Sequence, residues 1–521
     1  MAAGITLGLA VIGSLAIGGP AHAEGGGVTH RVACGTDAPD TLGSLDEVNA
    51  LRLAPGDAVL FQRGTTCTGT LAPRGSGTAE QRIRIGAYGK GARPVIDGAG
   101  ATDTVLLRNV SGYELSGLEI TNSADPGSKR RGVFVLGEDA GVLADLTIRD
   151  LYVHDVWGDD TKDTDGSGGI IVAAAGRSTP TSFRNVVVAD NVVRDVDRSG
   201  IVVGTSLWGD RPESGKPDVV LPWTPSSDVL IKGNDVANTG GDGILISTTK
   251  RGRVEDNRVD GFQERSAGYN AGIWPWNSED IVFTGNEASG GRTTRDGMAF
   301  DIDQGTNNVT FEYNYSHDNE GGFFLLCNAA GSIRNAVVRY NVSVNDSHRG
   351  IETCSGTIDS AQIYNNTIYI GDGVSQTVIN ENNANTRNVR FANNLVLKEG
   401  SGTANFRLAS PAGYRLDHNL IRNVGNLPPN PGGSTADPML VAPGSGGSSI
   451  DDLDGYRLRT GSPAHRAGAV LDDNGGRDFF GARLRGDVPP SIGADDAGNC
   501  TAPSSPGRPF PCRGTGVVGR G

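Results

Sequence analysis

The sequence is poor in aromatic residues, in positive charge and in long hydrophobic runs. Phe, Trp and Tyr make up 6% of the 521 residues, and hydrophobic residues make up 37%, which is below the usual globular share. Glycine is abundant at 78 residues, and the apolar residues recur in short alternating runs. This pattern favours many short strands joined by turns over a disordered chain.

Three further absences exclude whole classes of function. The net charge of -14, from 46 Lys and Arg against 60 Asp and Glu, argues against non-specific nucleic-acid binding. No C-x-x-C pair occurs, which argues against a structural zinc site. After the N-terminal region no segment is long and apolar enough to cross a bilayer, so we expect no membrane partner.

The N-terminus and the cysteines both indicate an extracellular protein. An apolar stretch ends at Ala21-His22-Ala23, an A-x-A cleavage signal, so residues 1–23 are predicted to be a signal peptide. Six cysteines in a secreted chain predict disulfides. Their order along the chain favours the pairs Cys34–Cys67, Cys327–Cys354 and Cys500–Cys512.

The central part of the chain is an internal repeat of short apolar runs around an asparagine. From Asn234 onward the asparagines recur at steps of 23 to 29 residues, and each unit ends with a loop, a glycine and a further apolar run. Such a unit cannot bury its own apolar face, so stacked units are predicted, with the asparagine side chains hydrogen-bonded along the stack. Gly117 and Asp150 are expected at this position in earlier turns. The predicted ladder comprises Asn191, Asn234, Asn257, Asn286, Asn314, Asn341, Asn366, Asn394 and Asn419.

With this repeat the chain resembles the right-handed parallel β-helix proteins of the pectate-lyase-like superfamily. The resemblance implies an all-β, three-sheet solenoid over residues 83–425, preceded by an N-terminal cap and initial strands over 24–82. Residues 43–53, "GSLDEVNALRL", are expected to form a short capping helix. Residues 426–521 are expected to form a C-terminal cap and a loose tail.

In this superfamily the run that follows the loop is the first strand of the next coil, and the sheet of first strands carries the active sites of related enzymes. Counting from the glycine of each coil, the first and third residues are predicted to point inward and the second and fourth outward. This alternation predicts Phe323 and Leu325 inside and Phe324 and Leu326 outside. It places Trp274, Trp276, Asp301, Glu352 and Cys354 outside, with Asp303 following on the same face.

The stretch "DGMAFDID", residues 296–303, is the strongest functional signal, because carboxylates in a strand repel each other and have low strand propensity. Asp301 lies in the middle of the strand, where no turn explains it. We therefore predict Asp301 and Asp303 as nucleophile or base and Glu320, one coil further on, as the acid. The residues expected to bind substrate are Trp274, Trp276, Asp296, His317, Arg349 and Glu352.

Paired carboxylates beside aromatic rings favour a secreted glycoside hydrolase that acts on a polysaccharide, as a monomer and without a cofactor. The alternative is a polysaccharide lyase, in which Asp296, Asp301 and Asp303 would hold Ca²⁺ and an arginine or lysine would abstract a proton. No lysine occurs between Gly272 and Cys354, which favours the hydrolase. A glycan-binding β-helix without catalytic activity is the third possibility. The motif set of polygalacturonases is absent from the sequence.

Overall fold

The computed structural model describes residues 26–36, 38–125, 127–215, 221–328, 331–354, 356–382 and 385–496. Strands of successive coils pair in parallel and form three long sheets, as expected for a parallel β-helix. From Asp103 onward, each coil contributes a strand to sheet 1, then to sheet 2, then to sheet 3. The predicted fold class is therefore confirmed.

Sheet 1 contains the strand with the carboxylates. Within the described residues it has 11 strands. They are Asp103–Arg108, Arg131–Glu138, Gly168–Ala175, Ser199–Gly204, Ile244–Ser247, Asn270–Trp276, Asp296–Asp303, Gly322–Cys327, His348–Cys354, Gln376–Glu381 and Ala404–Arg407.

Sheets 2 and 3 close the solenoid, with 16 and 13 strands in the described part of the chain. Sheet 2 consists of Thr29–Val32, Ala58–Gln62, Ile83–Tyr88, Tyr113–Ser116, Val142–Arg149, Ser182–Ala189, Ser226–Lys232, Thr249–Glu255, Glu279–Thr284, Thr306–Glu312, Ser332–Arg334, Ala336–Arg339, Thr357–Ile358, Ala361–Tyr364, Val389–Ala392 and Tyr414–Asp417. Sheet 3 consists of Thr66–Thr68, Val95–Asp97, Glu119–Asn122, Tyr152–Val156, Val192–Val196, Asp235–Thr239, Arg258–Asp260, Glu287–Ser289, Tyr315–His317, Val342–Val344, Thr367–Ile370, Leu395–Lys398 and Leu420–Arg422.

The remaining elements are short. The helix Leu45–Ala50 lies within the predicted capping segment, and Ser44 caps it by accepting a hydrogen bond from the Glu47 amide. The strands Arg52–Leu53 and Arg74–Gly75 pair with each other. Three 3₁₀ turns occupy Pro212–Ser214, Pro411–Gly413 and Asp454–Tyr456. Parallel pairing in sheet 2 extends back to Thr29–Val32, before residue 83.

The predicted asparagine ladder runs unbroken between sheets 2 and 3. Each Nδ2 donates to the Oδ1 of the asparagine in the next coil, over 2.8 to 3.2 Å from Asn191 to Asn419. Asn430 adds a last rung beyond Asn419. Each ladder amide also donates to a main-chain carbonyl, as Asn286 does to Val254 at 2.8 Å. Every buried amide in the stack therefore has its hydrogen bonds.

The prediction for the two earlier turns was wrong by one residue. Tyr152 pairs with Val192, which puts Leu151 beside Asn191, and Glu119 pairs with Tyr152, which puts Leu118 beside Leu151. Gly117 and Asp150 instead occupy the preceding position, where φ is +70° and +52°. That position needs a left-handed backbone, which glycine and aspartate adopt most easily.

The segment after the last coil packs along the side of the solenoid. Tyr315 donates to the Gly447 carbonyl at 2.7 Å, and Tyr313 donates to the carbonyls of Gly475 and Arg477. These tyrosines form a second apolar cluster with Leu440, Tyr456 and other residues of the segment. The segment thus covers outward-facing tyrosines in coils that lie well before the last coil of the solenoid.

The disulfides Cys34–Cys67 and Cys327–Cys354 are present, with Cα–Cα distances of 5.3 and 4.7 Å. The predicted signal peptide and the pair Cys500–Cys512 lie outside the described residues. No helix in the described parts is long and apolar enough to span a membrane.

Candidate active site

The outer face of sheet 1 carries the carboxylates predicted from the sequence. Ile273 pairs with Phe300, so Trp274 lies beside Asp301 and Trp276 beside Asp303. On the other side Asp301 pairs with Leu325, and Leu325 with Glu352. The order across the face is therefore Trp274, Asp301, Leu325 and Glu352.

The predicted orientation of the strand Gly322–Cys327 was wrong. Met298 pairs with Gly322, so Gly321 takes the place of Gly297 and the strand is shifted by one residue. Phe324 and Leu326 consequently point into the main core, and Leu325 points outward. The same shift aligns Cys327 with Cys354 and so permits their disulfide.

Asp301 is a buried carboxyl on this outer face. It is 5% exposed, and its Oδ1 has no hydrogen-bond partner among the described residues. Burial raises the pKa of Asp301 well above its usual value, and the neighbouring Asp303 and Asp296 raise it further. Asp301 is therefore neutral under conditions in which an exposed aspartate is ionised.

Asp296 opens the strand with a φ of +58°. Asp296 pairs with Asn270 and Met298 pairs with Ala271, so the register of the two strands shifts by one residue between these pairs. Burial raises the pKa of Asp296 to about 6, although the cations Lys162 and Arg349 oppose this shift. The Asp296 carboxyl remains partly exposed. It can therefore both hold a proton near neutral pH and reach a ligand.

Asp303 ends the same strand, on the outer face beside Cys327. One carboxylate oxygen, Oδ1, accepts a hydrogen bond of 2.6 Å from the Gln304 amide. The residue is partly exposed. The strand thus presents three carboxyl groups, with Asp301 electrostatically linked to the other two.

Glu320, the predicted acid, lies in a different setting. Its side chain is 51% exposed, lies 3.4 Å from Arg292 and accepts a hydrogen bond of 2.7 Å from the Thr293 amide. Glu320 therefore contacts the loop that precedes Asp296, in a setting that differs from the burial that raises the pKa of Asp296.

The two tryptophans are buried instead of offering open rings for a sugar. Trp274 is 6% exposed and Trp276 is 4% exposed. Trp274 donates from Nε1 to Asp242 at 3.0 Å, and Lys162 lies 5.2 Å from its ring centroid. The loop 157–168 thus lies over this end of the face.

Arg349 and Glu352 are buried together beside the site. Arg349 is ion-paired with Glu352, and it also donates to the carbonyls of Gly321, Thr294 and Asp296 at 3.0, 3.0 and 2.7 Å. All of these acceptors are protein groups. Arg349 therefore fixes the backbone that carries Asp296, and its predicted contact with substrate stays a prediction.

His317 is not part of this site. It lies in sheet 3, where its ring stacks on Tyr315 and contacts Asp318 at 2.9 Å and Glu287 at 3.5 Å. Hydrogen bonds to these two carboxylates raise its pKa to about 9 against the opposing effect of burial. It belongs to an ion cluster under the C-terminal segment, where Glu287 accepts from the Ile450 amide.

Sequence reasoning missed three residues at the site. Lys162 reaches it from the loop 157–168, whose path no repeat specifies. Tyr269 is 57% exposed beside the site, and the Lys162 ammonium donates to its carbonyl. Asn270 pairs with Asp296 in the neighbouring coil. Only Asn270 had a signal, since it is the first residue of the strand that pairs with Asp296–Asp303.

The calcium set expected under the lyase alternative is not assembled. Within the described residues no three His, Cys, Asp or Glu side chains are grouped closely enough to hold a metal ion. Asp296, Asp301 and Asp303 belong to the single strand Asp296–Asp303.

Comparison with known proteins supports the fold and points to a chemistry. A family model described as "Right handed beta helix region" matches residues 223–396. A lacto-N-biosidase of Bifidobacterium longum subsp. longum is 28% identical over 87% of this chain, which spans about a third (35%) of that relative's length.

Two solved structures are informative. The crystal structure of a GH136 lacto-N-biosidase from Eubacterium ramulus is 26% identical, with a TM-score of 0.61 over 73% of this chain and 68% of that one. XylC, solved with xylose, has a TM-score of 0.51 at 11% identity over 90% of this chain and 98% of its own, and shows the fold alone. The resemblance seen in the repeat is confirmed at the level of the fold: the chain is a right-handed parallel β-helix protein, and its similarities are consistent with the pectate-lyase-like superfamily.

Proposed function

We propose that the chain is a glycoside hydrolase that cleaves a glycosidic bond on the outer face of sheet 1, at Asp296, Asp301 and Asp303. The observation that carries the proposal is the carboxylate strand itself, in which Asp296 has a pKa of about 6 and Asp301 a pKa raised well above its usual value. Two relatives named lacto-N-biosidase support the same class of reaction.

In this mechanism Asp296 is the general acid. Its proton passes to the glycosidic oxygen as the bond to the anomeric carbon breaks, so the leaving group departs as a neutral alcohol. A raised pKa keeps this proton in place near pH 6, as required of the acid in a carboxyl pair. Asp303, as carboxylate, either takes a proton from the water that attacks the anomeric carbon or attacks that carbon itself. In the second case water, which gives its proton to Asp296, then cleaves the glycosyl–Asp303 bond and releases the sugar.

Asp301 lies between Asp296 and Asp303 along the strand. Because it is buried and neutral, it can donate its proton in a hydrogen bond to a sugar hydroxyl without adding a second charge beside Asp303. While Asp301 stays neutral, the charge at the site changes only when another carboxyl gains or loses a proton. This differs from the sequence prediction, which made Asp301 a nucleophile or base.

A lyase is favoured by one observation, the presence of Lys162, since no lysine was expected near the site. Its ammonium group is already bonded to the Tyr269 carbonyl and lies over the Trp274 ring. Abstraction of a proton from a uronate would require this lysine to leave both contacts. The hydrolase therefore remains the better account.

The proposed substrate is an extracellular oligosaccharide bound by a monomer. The first compound to test is an aryl glycoside of lacto-N-biose, because of the names of the two relatives. Release of the aryl group, measured beside aryl glycosides of single sugars, should reveal hydrolase activity. New reducing ends without absorbance from an unsaturated uronate would support the hydrolase; that absorbance, or no cleavage of any glycan in a broad panel, would reject it.

A further inference from the structure

We propose that Tyr269 and Asn270 form a sugar-binding subsite beside Asp296, in which the Tyr269 ring stacks on a pyranose and the Asn270 amide binds a paired donor and acceptor on that sugar. This inference rests on the proposed function, because it places the subsite next to the bond that is cleaved. Its ligand is a neutral pyranose with vicinal hydroxyls or an acetamido group.

Asn270 is the first support for this subsite. The residue is 2% exposed, yet neither its Nδ2 nor its Oδ1 has a hydrogen-bond partner among the described residues. A buried amide without partners is costly, and native proteins rarely keep one. An amide that lacks both a donor and an acceptor partner is complementary to a ligand that carries both.

The position of Asn270 is the second support. It pairs with Asp296 at the start of adjacent strands, so the two side chains belong to neighbouring coils about 4.8 Å apart. Its neighbour Ala271 donates to Asp242, the same residue that accepts from Trp274. The amide therefore stands at the edge of the carboxylate face and not in the solenoid core.

Tyr269 supplies an apolar surface that the buried tryptophans cannot. It is 57% exposed, one of few large hydrophobic side chains in the described residues with such exposure. Arg295 lies 5.1 Å from the centroid of its ring and Lys162 bonds to its carbonyl, so the ring and the backbone of Tyr269 are each contacted by another loop. A tyrosine ring has an apolar face and a hydroxyl at its edge that can face solvent, so it can stack on the apolar face of a sugar.

The loop behind the subsite is fixed by Gln263. Its Nε2 donates to the carbonyls of Gly268 and Arg295, at 2.7 and 2.9 Å. These bonds tie the turn before Tyr269 to the turn before Asp296. The subsite and the proposed acid are therefore held as one rigid unit, as preorganised binding requires.

The test is Asn270→Leu, which replaces the amide by an apolar group of similar size. Since the amide has no partner in the folded protein, we expect the melting temperature to stay constant or rise. The affinity for lacto-N-biose, measured by calorimetry in an Asp303→Asn background that cannot turn over, should fall about tenfold or more. Tyr269→Ala should weaken binding similarly, and Tyr269→Phe should not.

Two sugars identify the ligand group. The second sugar is an analogue of lacto-N-biose with a hydroxyl in place of the acetamido group. If Asn270→Leu lowers the affinity for lacto-N-biose but not for this analogue, the amide binds the acetamido group. An equal loss for both assigns it to hydroxyls. Unchanged affinity for both, or a loss of affinity together with a lower melting temperature, would overturn the subsite.

Failure of the proposed function gives a different result. A wild-type protein that hydrolyses no glycoside rejects the hydrolase, but calorimetry still reports whether Asn270 binds sugar. A hydrolase whose KM is the same with Asn270→Leu rejects the subsite alone.

Discussion

The asparagine ladder and the outer face of sheet 1 are two columns of polar residues in one solenoid, and they satisfy their polar groups in opposite ways. In the ladder, Asn286 accepts from Asn257 and donates to Asn314 and Val254. On the outer face, Asn270 and the Asp301 Oδ1 are as deeply buried but have no partner among the described residues. Under the proposed function, the difference is between polar groups that hold the fold and polar groups that bind a ligand.

The largest expected effect is on catalysis. Asp303→Asn and Asp296→Asn should each reduce kcat/KM by about three orders of magnitude or more, since one removes the attacking carboxylate and the other the proton of the leaving group. Unfolding of Asp303→Asn in urea should be little changed, because Asp303 is partly exposed on the outer face. The rate of aryl glycoside cleavage measures the effect.

Glu320→Gln is the matched control for this prediction. Glu320 is exposed and bound to Arg292, so we expect a change of less than about threefold. A loss as large as that of Asp296→Asn would return the role of acid to Glu320, as first predicted from the sequence.

The second prediction breaks the ladder. Asn286→Leu removes the side-chain hydrogen bonds of Asn286 with Asn257, Asn314 and the Val254 carbonyl, so we expect a loss of about 3 kcal/mol in the free energy of unfolding. Asn270→Leu is the same substitution at an amide without partners, and its free energy of unfolding should not fall. Equal losses at both positions, measured by urea denaturation, would contradict the contrast between the columns.

The third prediction concerns pH. Because the folded pKa of Asp296 is raised from 3.8 to about 6, its protonated form stabilises the fold, and this stability is present below about pH 4 and lost as pH rises through 6. Between pH 4 and pH 7.5 the free energy of unfolding of Asp296→Asn should therefore rise by about 2 kcal/mol relative to that of the wild type. This is less than the full pKa shift would give, because the group is partly exposed. The difference between the two unfolding curves isolates this group from other titrations.

Activity provides an independent reading of the same proton. If Asp296 is the acid, kcat should fall above about pH 6 as its proton is lost. A wild type whose kcat remains level to pH 8 would show that another group protonates the leaving oxygen.

The sequence predicted the repeating elements of the fold, and it missed features that depend on a single loop or on the alignment of a single strand. The ladder from Asn191 to Asn419 could be read because each asparagine returns after one coil. The carboxylates Asp301 and Asp303 could be found because they break the rule of an apolar or neutral strand. The orientation of Phe324 was wrong because two successive glycines, Gly321 and Gly322, allow two alignments. Lys162 could not be found, because a loop side chain is placed by tertiary contacts alone.

The smallest expected effect tests the segment that lies along the side of the solenoid. Tyr315→Phe removes the hydrogen bond from the tyrosine hydroxyl to the Gly447 carbonyl and keeps the buried ring, so we expect a loss of about 1 kcal/mol in the free energy of unfolding. Activity should be unchanged, because Tyr315 lies in sheet 3 and the carboxylates lie in sheet 1. Proteolysis of the segment after residue 440 should become faster, since this bond ties it to the solenoid. A loss of activity without a change in stability would instead mean that the segment and the site are coupled, and that the two faces of the solenoid are not independent.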